Sequence, residues 1–391
     1  MNKGAYYTGS YTNYFAALGI DDATAEKRID EIFQTLFYGD EDTRIYHEAD
    51  PDMGYLVDTG NIDVRTEGMS YGMMISVQLN RKSEFDRIWK WVFTNMYLEK
   101  GPNKGFFCWS NSLDGLKNAG GPAPDGEEYF AMALLFASNR WGDGEGVFDY
   151  RRHACDILHC MRRIGENGRC EDGSGRGMYD PDNHLIRFIC EVDFSDPSYH
   201  LPHFYELFGE WAYPEDREFY KEAAKCSREF LHKACHHDTG LSAEYSYFDG
   251  TPYDKGMDIW GRHDWYYSDA YRTIMNIAMD HIWYGVDDWQ MDEGKRFLDF
   301  FCNKLKRENW DCVPEWDGTL TEKKALHPVA VIASNACAAI LADDENGIEC
   351  MKHFLNTPLR EGNRRYYDNL LYMFAYMMLS GNYRIIRGND Q

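Results

Sequence analysis

Three acidic residues stand where polar, glycine-rich stretches give way to apolar ones. Glu67 lies in Asp-Val-Arg-Thr-Glu-Gly-Met-Ser-Tyr-Gly-Met-Met, residues 63–74. A carboxylate at such a mouth loses part of its hydration, which favours the protonated form. A carboxyl that keeps its proton near neutrality can act as a general acid. A first-turn Glu that merely favours the helix dipole would leave the same pattern. Asp269 lies in Trp-Tyr-Tyr-Ser-Asp-Ala-Tyr-Arg, residues 265–272. Its Tyr and Arg neighbours can donate hydrogen bonds and keep a carboxylate ionised, as a general base requires. Ser268 or Asp269 acting as an N-cap is the competing explanation. Asp125 lies in Gly-Pro-Ala-Pro-Asp-Gly-Glu-Glu-Tyr-Phe, residues 121–130, where a capping box with Glu128 competes. If the helices that follow these three residues form a ring, all three face one cavity. Two carboxylates across a sugar are the minimum kit for glycoside hydrolysis.

Other chemistries are poorly supplied. His200-Leu-Pro-His203 has i,i+3 spacing, but Pro202 interrupts it and there is no HExxH. These histidines read as structural or substrate-binding. His232, His236 and His237 read as a solvated helix end and the loop after it. There is no GxSxG elbow, no P-loop and no glycine fingerprint after a strand. Gly-Asp-Gly-Glu-Gly at 142–146 reads as a surface turn, without EF-hand spacing. No metal and no cofactor is expected.

The elements that must position the acids are helical throughout. Phe85, Ile88, Trp89, Val92, Phe93 and Met96 recur at helical spacing among charged residues, which gives an amphipathic helix with one wet face. Amphipathic helices are predicted near 22–38, 84–98, 149–163, 216–236, 290–308 and 346–356. Helices with hardly any wet face are predicted near 66–80, 127–139, 200–212, 267–283, 328–342 and 365–380. The two kinds alternate strictly. The simplest closed arrangement is an all-α (α/α)6 barrel, with six inner helices inside six outer ones. One continuous core then explains why no linker divides the chain, so residues 1–391 are expected to form a single catalytic domain. The links leading into inner helices are long: 39–65, 99–126, 164–199, 237–266 and 309–327. Long loops at one rim are where such a barrel keeps its site. The stretch 243–253 could hold short strands.

The bulk composition limits partners. With 41 Lys+Arg against 65 Asp+Glu, the net charge of −24 repels phosphate backbones and anionic membranes. A neutral sugar is not repelled, and aromatics at 16% supply the faces that sugars stack on. Nothing approaches the ~18 apolar residues of a membrane span, and no apolar signal core follows the N-terminus. The 11 cysteines are scattered without CxxC pairs, and most fall in apolar runs. Buried free thiols in a reducing compartment account for them, so a cytoplasmic protein is expected, with a monomer as the default.

At these motifs the chain resembles glycoside hydrolase family 8, and within it the members that release xylose from the reducing end of xylo-oligosaccharides. The stretches that carry the resemblance are GYLVDTGNIDVRTEGMSYGMM, GPAPDGEEYFAMALLFASNRWGDG, FSDPSYHLPHFYELF, YYSDAYR, LHPVAVIASNA and NTPLREGNRRYYDNLLYMFA, which run from residue 54 to residue 376. The resemblance implies an (α/α)6 barrel and an inverting mechanism. It implies Glu67 as general acid, Asp269 as general base with Arg272 beside it, and Asp125 as the residue that positions and distorts the sugar. It also implies Tyr199 as a holder of the attacking water and Trp109 as a stacking platform, with Arg65 and Tyr367 in matching motifs. Leu326-His327-Pro328 matches a loop that closes the cleft, with His327 reading the reducing-end hydroxyl. An inverting pair implies carboxyl groups roughly 6.5–9.5 Å apart. The stretch 254–264 departs from the family pattern by its length. The rival functions are an endo-acting family 8 xylanase or glucanase, a sugar-binding protein without catalysis, and an isomerase on the same barrel.

Overall fold

The computed structural model describes residues 3–162, 175–255, 262–305, 310–342 and 344–388. Residues 256–261 of the unusual 254–264 stretch lie outside them. Among the described residues, twelve helices of ten residues or more alternate in character along the chain. The amphipathic ones are Asp22–Tyr38, Lys82–Asn95, Tyr150–Arg162, Arg217–Ala234, Trp289–Asp299 and Glu345–Asn356. Between them come Thr66–Gln78, Pro124–Trp141, Pro202–Trp211, Tyr271–Trp283, Pro328–Ala338 and Arg365–Leu379. The contrast is plain in burial. Lys82–Asn95 buries only Phe85, Ile88, Trp89, Trp91 and Val92 on one stripe, whereas every residue of Arg365–Leu379 is buried. Pro124 and Pro328 each open a helix, where the missing N–H costs nothing and the fixed φ suits the first turn.

Boundaries shift by a few residues from the pattern. The helix expected at 267–283 is α-helical only from Tyr271, after a 3-10 turn over Ser268–Ala270. The one expected at 290–308 passes into a π turn over Phe300–Lys304. In 243–253 there is no regular strand, only isolated bridges such as Ser246 to Pro252.

The chain divides into two compact units, each assembled from separate stretches. One comprises Met1–Gln34, Phe194–His203 and Ser227–Arg384. In it, Pro328–Ala338 packs against Arg365–Leu379, Tyr271–Trp283 and Glu345–Asn356. Phe15, Phe354 and Tyr376 fill its core. The fully buried Asp280 carboxylate is held by Arg228 at 2.8 and 2.9 Å and by Gln290 at 2.6 Å, so a charge stays inside only because three donors surround it. An antiparallel hairpin, Cys312–Pro314 with Leu320–Lys324, precedes the Leu326-His327 loop.

The other unit comprises Thr35–Asp193, Phe204–Cys226 and Ile385–Gln391. Thr66–Gln78 packs against Pro124–Trp141 and Lys82–Asn95, and Pro124–Trp141 packs in turn against Tyr150–Arg162. Trp89 sits fully buried among Phe107, Phe130 and His153, its indole N–H on Val147 O at 2.7 Å. Val64–Arg65 pairs antiparallel with Ser110–Asn111, which ties the segment before Glu67 to the segment carrying Trp109.

No helix among the described residues is long and apolar enough to cross a membrane. The ten described cysteines are free thiols, eight of them buried.

Candidate active site

Arg65, Glu67, Trp109 and Asp125 fall in the unit that contains Thr35–Asp193, while Tyr199, Asp269, Arg272, His327 and Tyr367 fall in the other.

In the first set, Glu67 stands in the first turn of the buried helix Thr66–Gln78. The Thr66 N–H is fixed on Trp109 O at 3.0 Å. The Arg65 side chain bonds Asp58 and Asp63 at 3.1 and 3.0 Å, and its guanidinium lies 5.3 Å from the Trp109 ring. Ser110 donates to Asp63 at 2.8 Å, closing the same network. Asp125 is the second residue of Pro124–Trp141 and is buried, with Oδ1 accepting from the Gly126 N–H at 2.9 Å. The capping-box alternative fails. Ala123 is the N-cap and makes no side-chain bond, and Glu128 accepts instead from the Tyr205 hydroxyl. Gly126 abuts Thr66, where a Cβ would stand 2.4 Å from the Thr66 Cβ. The helix starts that carry Glu67 and Asp125 therefore meet at a glycine. Glu127 is fully buried against the Phe107 N–H at 2.9 Å. Burial pushes its pKa well up, and the neighbouring Asp125 adds to the rise.

In the second set, Asp269 follows Ser268, whose φ is +46°. A β-substituted residue adopts that value at a cost in strain. The N-cap alternative fails here too. Tyr267 and Ala270 occupy the cap positions without side-chain cap bonds. The Asp269 carboxylate turns to Arg272, Oδ1 to Nη2 2.8 Å. That guanidinium is nearly buried and lies 5.5 Å from the Tyr199 ring and 5.9 Å from the Tyr367 ring. The Tyr367 hydroxyl donates to Ser268 O at 3.0 Å. His327 is held by Nδ1 on Asp368 Oδ2 at 3.2 Å and packs edge-on to Tyr367. Asp368 also accepts from the Ala330 N–H at 2.8 Å and from Arg360.

Two buried acids beside Asp269 were not singled out from the sequence. Asp196 caps the turn Pro197–Tyr199, accepting from the Ser198 N–H at 2.7 Å. Burial drives its pKa well above the carboxylate range, and Asp269 adds to the rise while Arg272 opposes it. Glu244 is raised for the same first two reasons, burial and then Asp269. It bonds His263 Nδ1 at 2.7 Å, and His263 stacks on Tyr245. Desolvation lowers the His263 pKa. The only mark of Asp196 and Glu244 in the sequence is a polar residue among loop aromatics, which many surface loops share.

His200 and His203 are buried. Burial pulls each pKa down to about 3, and His200 is fixed between the Ser195 and Ser227 hydroxyls at 2.9 and 2.8 Å. Residues 142–146 are exposed, as expected of a surface turn.

Comparison with known proteins agrees in both sequence and structure. The model of glycosyl hydrolases family 8 matches residues 5–381. A reducing end xylose-releasing exo-oligoxylanase of Halalkalibacterium halodurans is 50% identical over 386 residues, covering 98% of this chain and 96% of that one. A crystal structure of a reducing end xylose-releasing exo-oligoxylanase superposes with a TM-score of 0.93 at 51% identity, over 99% of both chains. A mutant of Rex8A from Paenibacillus barcinonensis, complexed with 3(3)-alpha-L-arabinofuranosyl-xylotetraose, matches with a TM-score of 0.95 at 47% identity over the whole of both chains. These likenesses show the (α/α)6 fold class, whose helix pairs are the six alternating pairs described above.

Proposed function

Because the chain belongs to glycosyl hydrolase family 8, we propose that it is an inverting hydrolase that releases xylose from the reducing end of short β-1,4-xylo-oligosaccharides. The observation that carries this is the 50% identity, over nearly the full length of both chains, to an enzyme of that activity.

Glu67 is the general acid: it delivers its proton to the departing glycosidic oxygen. Asp269 is the general base: it takes a proton from water as that water attacks the anomeric carbon from the opposite face. The oxygen of water ends on the anomeric carbon with inverted configuration, and the aglycone xylose leaves with the proton from Glu67. Arg272, 2.8 Å from Asp269, holds the base carboxylate in place. Tyr199, fixed by the turn that Asp196 caps, holds the water. Asp125, buried in the first turn of its helix, holds the distorted sugar. Trp109, backed by Arg65, offers a face for stacking. Tyr367 lines the base side. His327, oriented by Asp368, reads the reducing-end hydroxyl and so restricts the enzyme to chain ends. The chemistry is proton transfer among carboxyl groups and water and calls for no cofactor. A cytoplasmic place is proposed from the free, mostly buried thiols, which suit a reducing compartment.

The test is incubation with xylotriose and with borohydride-reduced xylotriose, followed by chromatography. Xylose and xylobiose from the first, with the second intact, is the expected result. Cleavage of both removes the end-reading role of His327. Cleavage of neither removes the substrate class. Glu67→Gln and Asp269→Asn should each lose ~100-fold or more in kcat, the usual worth of an acid or a base; near-wild-type rates would remove the assignment.

A further inference from the structure

Trp109 lies on a segment whose backbone is tied down residue by residue. The Phe107 N–H donates to Glu127 Oε1 at 2.9 Å. The Cys108 N–H donates to Met96 O at 2.8 Å and the Trp109 N–H to Gly121 O at 3.0 Å, while Trp109 O accepts from the Thr66 N–H at 3.0 Å. Phe106, Phe107, Cys108, Ser110 and Asn111 are buried, and Trp109 among them is half-buried. The indole is therefore presented by a fixed backbone and is not simply packed away. Three of the four ties join backbone to backbone, the ordinary way of satisfying buried peptide groups. The fourth uses a carboxyl group. Glu127 is fully buried, and its Oε2 meets no hydrogen-bond partner among the described residues. A buried carboxyl that is only half satisfied costs stability that an apolar residue would not. Burial pushes its pKa well up, towards the neutral acid. Such a residue breaks the rule for a helix interior, and breaks of that kind concentrate where function demands them.

We propose that Glu127 is a positioning residue: by accepting the Phe107 N–H it fixes the Trp109 segment to the helix Pro124–Trp141 and so sets the face that the indole offers to the sugar. The proposal rests on the reading of Trp109 as the stacking platform. Glu127 follows Asp125 by two residues in the first turn of that helix. One rigid element then carries both the acid that holds the sugar and the bond that aligns the platform. Arg65 backs the indole with its guanidinium 5.3 Å away, but a cation behind a ring does not set where the backbone presents that ring. The bond to Phe107, two residues before Trp109, does.

The experiment is steady-state hydrolysis of xylotriose by the wild-type protein and by Glu127→Ala, Glu127→Gln, Trp109→Ala and the double variant Glu127→Ala/Trp109→Ala. Glu127→Ala should raise KM ~10-fold with kcat held within about threefold, as when a stacking contact made equally in ground and transition states is loosened. Glu127→Gln keeps an oxygen for the Phe107 N–H and should hold KM within about twofold of wild type. In the Trp109→Ala background, Glu127→Ala should raise KM no further, because no platform is left to align. An unchanged KM in Glu127→Ala overturns the proposal, and so does a Glu127→Gln protein as impaired as Glu127→Ala. A lower kcat at constant KM also overturns it, since the bond would then serve Glu67 through Thr66. So does an equal further rise of KM in the Trp109→Ala background, which marks a general structural role. If circular dichroism shows Glu127→Ala unfolded, Glu127→Leu, which refills the space without an oxygen, is read by the same criteria. Loss of fold in both variants marks a role in folding alone and overturns the proposal. A wild-type protein that leaves xylotriose intact, or a Trp109→Ala protein with wild-type KM, fails the underlying reading instead and is recognised without any Glu127 variant.

Discussion

Replacing Asp368 by asparagine should loosen the end-reading loop before anything else. Asp368 is fully buried and serves three donors: the Ala330 N–H at 2.8 Å, His327 Nδ1 at 3.2 Å and the Arg360 guanidinium. The amide oxygen of the introduced asparagine can still serve Ala330 at the start of Pro328–Ala338. The amide NH2 cannot accept, so the charge-assisted bond to Arg360 is lost, at about 1.5–3 kcal/mol. Arg360 keeps its bond to Leu326 O at 2.6 Å and some access to water, which places the net loss at about 2–3 kcal/mol. For 391 residues at about 2.1 cal/mol/K each, the unfolding entropy is about 0.8 kcal/mol/K, so Tm should fall by ~3 °C. Differential scanning calorimetry reads that shift. The functional half is read as the ratio of rates on xylotriose and on reduced xylotriose. His327 loses its orienting partner, and the ratio should fall several-fold while cleavage persists. A Tm within a degree of wild type together with an unchanged ratio would refute the view that Asp368 holds the loop.

Two further outcomes follow from burial. His200 has a folded-state pKa of about 3 against an ordinary 6.5, so below pH 6.5 the unfolded chain binds a proton that the folded one refuses. Its contribution is therefore fully present above pH 6.5 and is lost as pH falls towards 3. His200→Gln removes that liability, and the stability difference between wild type and variant should move by about 1.4 kcal/mol per pH unit between pH 6 and 4, in the variant's favour. Urea titrations at several pH values read it, and a constant difference would sink the idea. Gly126→Ala would drive a Cβ to 2.4 Å from the Thr66 Cβ. It should cost about 1–3 kcal/mol, and kcat should fall because the helix starts that carry Glu67 and Asp125 must separate. A variant with wild-type melting and rate would show that the helices yield freely there.

The helices were legible because burial imposes a period on residue type. Lys82–Asn95 shows one apolar stripe and Arg365–Leu379 shows none of the polar face that solvent demands, so their contrast alone separates the two kinds. Glu67, Asp125 and Asp269 were legible because each stands at a change from polar loop to apolar helix. Whether Asp125 or Asp269 caps its helix could be read only from geometry, and Glu67 does stand in the first turn of its helix, where the dipole favours an acid. Asp196, Glu244 and His263 were not legible. Asp196 only caps a short turn, and Glu244 and His263 meet across 19 residues of chain that carry no period. The left-handed Ser268 was equally hidden, because serine carries no mark of positive φ as glycine does.

The stitched composition of the two compact units has a consequence for synthesis. The unit built from Thr35–Asp193 and Phe204–Cys226 also takes Ile385–Gln391, and Asn139 bonds Ile386 O at 2.8 Å. The other unit needs both its first residues and those up to Arg384. Neither can be finished while the ribosome is still at work on residue 380. The buried Phe15, whose ring packs on Phe354 and Tyr376, must therefore wait on the nascent chain for partners that emerge much later. Chaperone demand and the yield of truncated chains should be set by that wait, and a shortened C-terminus should harm production of the protein well before it harms its chemistry.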